Sequence, residues 1–283
     1  MDKFAEVNKI QLHYIDYPGN DPTLVLLHGI TANAHIFDGL IEAGLNLEFR
    51  VLAVDMRGRG LSEKPPTGYG MTEHAADVIG LLDSLGIKQA IICGHSFGGL
   101  VTLFLASHFP ERVSKFALLD ASGPLVNPLA LELIKPSLDR LGRVVPSWKD
   151  YLEKMKQAPS FDGWWDSAIE SYFHADVEIF EDGSVRPRSR IENITEAITY
   201  AGKEDWDRCI ANIKQPSILI HAPEPYGPPG TPPIVPLNQA LATAEALSEC
   251  RYIKVPGNHI TMLYGDGARE TVRNIVDFVK YDS

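Results

Sequence analysis

"AIICGHSFGGLVTLFL", residues 90–105, decides how the rest of the chain is read. An apolar run ending at Cys93 has the composition of a buried strand, and the run from Leu100 has that of a helix. Gly94-His95-Ser96-Phe97-Gly98 between them is therefore a G-x-S-x-G pentapeptide in a strand–turn–helix setting. A serine hydroxyl serves as a nucleophile only if it projects from the chain. The backbone must turn sharply to achieve that, and small neighbours allow the turn without clashes. The following helix sets its positive N-terminal end at Ser96, where negative charge would develop on a substrate oxygen. Residues 90–110 contain no Lys, Arg, Asp or Glu, yet the glycines at their centre argue against a continuous membrane helix.

Working outward, short β-rich runs alternate with helical patterns, the signature of βαβ units and a mainly parallel sheet. The runs are FAEV (4–7) and IQLHYI (10–15), joined across Asn8-Lys9, then TLVLLH (23–28) and RVLAVD (50–55). After them come QAIICG (89–94), KFALLD (115–120), SILIHA (217–222) and RYIKV (251–255). Helices are expected from Thr72 as N-cap, from Phe97, from Pro236 and from Ala268. Between the sixth and seventh strands the pattern turns helical, in stretches such as NPLALELIKPSLDRLG (127–142), SWKDYLEKMKQA (147–158) and WWDSAIESYF (164–173). The expected organisation is an α/β core of residues 1–121 and 211–283, with a helical cap inserted at 122–210.

Two more stretches bear on Ser96. His28-Gly29 closes an early strand, and the loop beyond it brings the Ile30 N–H toward the same crevice as the Phe97 N–H, giving two donors for an oxyanion hole. His28 precedes the turn and reads as a partner that orients the loop. His259 follows a strand and a Pro-Gly turn in YIKVPGNHITML (252–263), a position from which a general base reaches the serine. His95 is turned away by the elbow. His13, His35, His74, His108, His174 and His221 lack a comparable setting and read as structural.

With these pieces in order, and with DMRGRGLS at 55–62, the chain resembles the α/β-hydrolase fold family. More narrowly, it resembles the capped serine esterases and lactonases with an HG loop, a D-x-R-G-x-G-x-S loop and a G-H-S-x-G-G elbow. The resemblance covers nearly the whole chain, the cap least specifically. DMRGRG lacks the third glycine of G-x-G-x-x-G and is assigned no catalysis. Most relatives keep the acid that orients the histidine a few residues past the seventh strand, before a segment like Ile234-Val235-Pro236. Here seven prolines crowd residues 223–236 and no aspartate stands there. Two carboxylates remain open for the role: Asp120 at the end of the sixth strand, where some branches of the family take their acid, is the preferred one, and Glu224 between Pro223 and Pro225 is the alternative.

The expected activity is cleavage of a carboxylic ester or lactone of a small, apolar molecule, with no metal or organic cofactor implied. Trp164 and Trp165 are the expected substrate contacts, and with Tyr172 and Phe173 they give the cap an aromatic content that suggests an apolar or aromatic substrate. Carbon–carbon bond hydrolysis of meta-cleavage products, cofactor-free haloperoxidase or perhydrolase chemistry, and a hydrolase-fold receptor for a small molecule are the competing readings. A net charge of −11 without a basic cluster argues against nucleic-acid and membrane partners. Three scattered cysteines and the lack of a leader-like N-terminus fit a reducing, cytoplasmic setting.

Overall fold

The computed structural model describes residues 1–123, 128–161 and 164–281. In chain order the strands are β1 (Asp2–Val7), β2 (Ile10–Tyr17), β3 (Leu24–Leu27), β4 (Val51–Val54), β5 (Ala90–His95), β6 (Val113–Leu119), β7 (Val177–Ile179), β8 (Val185–Pro187), β9 (Ser217–His221) and β10 (Cys250–Lys254). Eight of them form one sheet in the order β1-β2-β4-β3-β5-β6-β9-β10, with all eight expected strands present. The pairs β1/β2 and β2/β4 are antiparallel and the rest are parallel. Asn8 and Lys9 both take positive φ, 44° and 64°, which lets β1 turn back tightly into β2.

The central strands are apolar throughout because both sheet faces are covered. Val25 and Leu27 of β3 enter one core with Leu100, Leu103 and Phe104 of the helix Phe97–His108. Leu24 and Leu26 enter the opposite core with Ile275 and Phe278 of the helix Gly265–Tyr281. The same alternation runs through β6, with Phe116 and Leu118 on one side and Ala117 and Leu119 on the other.

Between β6 and β9 lies a succession of short helices from Pro128–Leu133 to Trp206–Ala211. Several details differ from expectation, among them the last helix, which begins at Gly265 and not at Ala268. The segment also contains the antiparallel hairpin β7/β8, whose strands are too short to leave a periodic signal. The continuous helix expected over 127–142 is two, Pro128–Leu133 and Lys135–Asp139, because Pro136 has no N–H to continue the first and sits comfortably in the first turn of the second; Asn127 lies outside the described residues. The helix expected from Thr72 begins at Met71, with Gly70 as its N-cap in extended backbone and Met71 buried in the core.

The chain lays β4 on one side of β3 and β5 on the other, so the strand order reverses there and a crevice opens at the carboxyl ends of the strands. The helix after β5 approaches that edge very closely. A Cβ on Gly98 would lie 2.0 Å from the Leu27 carbonyl oxygen, and one on Gly94 2.2 Å from the Gly98 carbonyl oxygen. Gly98→Ala is expected to destabilise the fold by ~1–3 kcal/mol through overpacking against backbone. Urea denaturation measures this; an unchanged midpoint would mean that the helix moves away from β3 freely.

Candidate active site

Ser96 sits at the tip of the turn between β5 and the helix Phe97–His108, with φ 55° and ψ −119°. A non-glycine residue in so sparsely populated a region stores about 1–3 kcal/mol of strain. The surroundings enforce it: the Ser96 N–H donates to the Leu119 carbonyl at 3.1 Å, and the Ser96 carbonyl accepts from the Gly99 N–H at 2.9 Å. The Phe97 N–H belongs to the first helical turn, where no intrahelical acceptor exists, and it has no acceptor among the described residues.

The loop after β3 is wired to basic side chains. His28 Nδ1–H donates to the Gly29 carbonyl at 2.7 Å, while its Nε2 accepts from the Met56 N–H at 3.0 Å. Burial lowers the His28 pKa to about 4, so the ring is neutral and this tautomer uses both nitrogens. The Gly29 carbonyl accepts a second bond from the Ala32 N–H at 3.1 Å. Gly29 C=O and Ile30 N–H share one peptide group, so bonds to the oxygen strengthen the N–H as a donor. The Ile30 carbonyl accepts from Arg59 Nε at 3.1 Å, and the Thr31 carbonyl from Arg140 Nη2 at 3.2 Å. Three consecutive carbonyls are thus held in place. The Ile30 N–H has no acceptor among the described residues, and the loop passes beside the serine, since a Cβ on Gly29 would lie 3.4 Å from Ser96 Cβ.

Asp120 follows β6 directly, at φ 44°, and is fully buried. Its Oδ2 accepts from His259 Nδ1 at 2.7 Å and its Oδ1 from the Ala222 N–H at 3.0 Å. With Nδ1–H engaged, Nε2 of His259 is left as the basic nitrogen. Glu224 is exposed in the loop after β9, and its N–H donates to the Gly257 carbonyl at 3.3 Å. Of the two carboxylates left open by the sequence, Asp120 is the one that meets the histidine. His95 does more than the sequence suggested: its Nε2–H donates to the His259 carbonyl at 2.7 Å, and the two rings lie 4.6 Å apart. Burial, aided by His259, keeps its pKa far below the ordinary value and its ring neutral beside that of His259.

Ser96, Ile30 and Ile134 border two cavities. The smaller, about 220 Å³, is apolar and includes Phe97, Leu100, Trp206 and Ile234. The larger, about 630 Å³, includes His259, Arg140, Tyr172, Phe173 and Tyr226. Neither is lined by Trp164 or Trp165, contrary to expectation. Trp165 stacks on the cavity-lining Phe173 with ring centres 5.7 Å apart and so supports the wall from behind, whereas Trp164 packs on Tyr264 at 5.6 Å, away from both cavities. Arg140 is braced by Asp176 and by Tyr151 Oη at 2.9 Å; burial opposes its charge, but the Asp176 carboxylate more than offsets this and raises its pKa. Among the described residues no cluster of His, Cys, Asp and Glu is arranged to hold a metal ion, and no helix is long and apolar enough to cross a membrane.

Residues 22–266 match the family model of the alpha/beta hydrolase fold. The chain belongs to this family. Over 131 residues it is 34% identical to 2-(acetamidomethylene)succinate hydrolase of Mesorhizobium japonicum, and over 136 residues 34% identical to bifunctional epoxide hydrolase 2 of Sus scrofa. Each match covers 46% of this chain, with 46% of the first relative and 24% of the second, so the chain spans less than half the length of either. The solved structure of E-2-(acetamidomethylene)succinate hydrolase superposes with a TM-score of 0.82 at 23% identity, covering 100% of this chain and 99% of that one. The enol-lactonase of Burkholderia xenovorans superposes at 0.72 with 24% identity, over 98% and 99% of the two chains. At these identities the likeness is one of fold.

In this hydrolase-fold chain the sequence did not reveal the parts played by His95, Arg140 and Tyr226. Tyr226 comes from the proline-rich loop, and its ring stands edge-on to that of His259 at 5.9 Å. The same loop braces the histidine turn, since Asn258 Nδ2 donates to the Pro225 carbonyl at 3.3 Å. The only available hint was the density of prolines, which stiffens a loop without saying what it holds. The Asp120–His259 bond predicts a strongly downfield Nδ1 proton in proton NMR spectra. It is expected to vanish in Asp120→Asn and to persist in Glu224→Gln; the opposite pattern would assign the carboxylate to Glu224.

Proposed function

We propose that the protein is a serine hydrolase that cleaves a carboxylic ester or lactone of a small, partly apolar molecule through an acyl-enzyme. The observation that carries this reading is the 2.7 Å bond from buried Asp120 to His259 Nδ1, on a cavity that His259 shares with Ser96. Ser96 Oγ attacks the carbonyl carbon while His259 Nε2 takes its proton. Asp120 holds the tautomer and stabilises the imidazolium that forms. The N–H groups of Ile30 and Phe97 receive the oxyanion. As the tetrahedral intermediate collapses, the imidazolium returns its proton to the departing alcohol oxygen. Water, deprotonated by His259, then releases the acid and regenerates the serine.

The two cavities suggest how a substrate lies. His259 lines only the larger one, so a leaving group that takes its proton belongs there. The acyl arm then occupies the apolar side beside Phe97 and Leu100. The segment 122–210, in this reading, is a cap that supplies walls to both. A cytoplasmic location fits the free thiols of Cys93, Cys209 and Cys250.

Short-chain p-nitrophenyl esters are expected to be turned over in preference to long-chain ones, and a fluorophosphonate is expected to label Ser96. Label and turnover should disappear in Ser96→Ala; a wild-type protein inert to both probes would sink the proposal. Asp120→Asn should lower kcat by about 10³–10⁴, whereas Glu224→Gln should change it by less than about twofold. Steady-state kinetics distinguish these, and equal losses would separate the acid role from Asp120.

A further inference from the structure

The DMRGRG loop, residues 55–60, had no assigned part in the chemistry, yet it buries two arginines with different surroundings. Arg57 meets a carboxylate: its Nε and Nη2 donate to Asp77, each at 2.6 Å. Arg59 is fully buried and is bonded to no carboxylate among the described residues. The other acid of the loop, Asp55, is committed to His13 Nδ1 at 2.7 Å and to the N–H groups of Ala34 and Leu61. Arg59 instead donates from Nε to the Ile30 carbonyl at 3.1 Å and from Nη1 to the Arg57 carbonyl at 2.8 Å. Its Nη2 has no acceptor among the described residues. The guanidinium carbon lies 5.6 Å from the centre of the Phe97 ring and 5.8 Å from that of Tyr69. Arg59 therefore touches both residues that carry the free N–H donors.

Burial without a counter-charge is costly for a guanidinium, and such groups gather where function brings a compensating charge. We infer that Arg59 is a positioning residue of the oxyanion hole, holding the carbonyl of Ile30, the residue whose N–H is one of the two donors, and setting an uncompensated positive charge behind the place where the substrate oxyanion develops. It acts through Ile30 and Phe97 and does not touch the reacting atoms. A fixed charge of this kind stabilises the transition state more than the neutral ground state, with no reorganisation at the moment of reaction. Burial lowers the Arg59 pKa only to about 10, which leaves it charged at neutral pH. The histidines near it are neutral and add no second positive charge: burial keeps the His74 pKa far below its ordinary value, and lowers that of His28.

This inference rests on the serine-hydrolase reading, and one set of measurements separates the two. Wild type, Arg59→Lys and Arg59→Gln are compared for fluorophosphonate labelling, p-nitrophenyl acetate kinetics, thermal melting, and affinity for a trifluoromethyl ketone and the matching unreactive amide. The ketone forms a tetrahedral oxyanion on Ser96 and the amide does not. Arg59→Lys, which keeps a charge but loses the Nε donor, is expected to lower kcat about 3–10-fold, and Arg59→Gln about 10–100-fold. Ketone affinity should fall in step with kcat/KM while KM and amide affinity stay within about threefold. A folded variant with wild-type kcat and ketone affinity overturns the inference, as does an equal loss of ketone and amide binding. Should the Gln variant fail to fold, the Lys variant decides by the same two criteria. Absence of label on wild type would instead overturn the hydrolase reading, and the role of Arg59 with it.

Discussion

The Asp120 carboxylate ties the ends of three strands to one point. Asp120 leaves β6 with its N–H bonded to the Ile220 carbonyl of β9 at 2.7 Å, while its two oxygens accept from Ala222, just past β9, and from His259, past β10. Parallel strands bring their carboxyl ends to one edge but do not by themselves align the loops beyond. A buried carboxylate can remain there only if its lone pairs are used, so its need for partners dictates where those loops go. The positive φ of Asp120 belongs to the same constraint, because it swings the side chain across β9 toward the histidine turn.

A second set of polar contacts stands on the other side of Ser96. Three consecutive carbonyls of the loop after β3 accept bonds from His28, Arg59 and Arg140 in succession. These three come from the end of β3, from the loop after β4 and from the segment between β6 and β9. The geometry of a single tight loop therefore depends on distant parts of the chain. Arg140 adds a link between that segment and the core, with its charge met by Asp176.

The proline-rich stretch 223–236 takes its meaning from this arrangement. It follows β9, and the carboxylate that meets the histidine comes from the neighbouring strand end, as Asp120. The loop lends Tyr226 and Ile234 to the cavity walls and also braces the histidine turn. It receives the Asn258 side chain, lends the Glu224 N–H to Gly257 and stands the Tyr226 ring against His259. Prolines suit that task because a loop with few accessible conformations in the unfolded state loses less entropy when it is fixed.

Much of this was legible in the residues themselves. Continuous apolar runs identify strands buried on both faces, and G-x-S-x-G between such a run and a helix identifies a turn that presents a serine. Both are local properties, set by side-chain size and backbone sterics within a few residues. The hairpin β7/β8, the split helix near Pro136 and the helix start at Met71 escaped because short elements and their ends depend on what packs against them. The choice between Asp120 and Glu224 was beyond sequence for a deeper reason. Both precede the histidine in the chain, and only the folding of β6, β9 and β10 side by side determines which carboxylate reaches it. The tryptophans show the same limit: apolar surface can line a cavity or back its wall, and composition is identical in the two cases. The sequence alone determined which groups were available and roughly where the chain would turn. Tertiary structure decided which of them meet, because hydrogen bonds and buried charges act across distances that chain order does not encode.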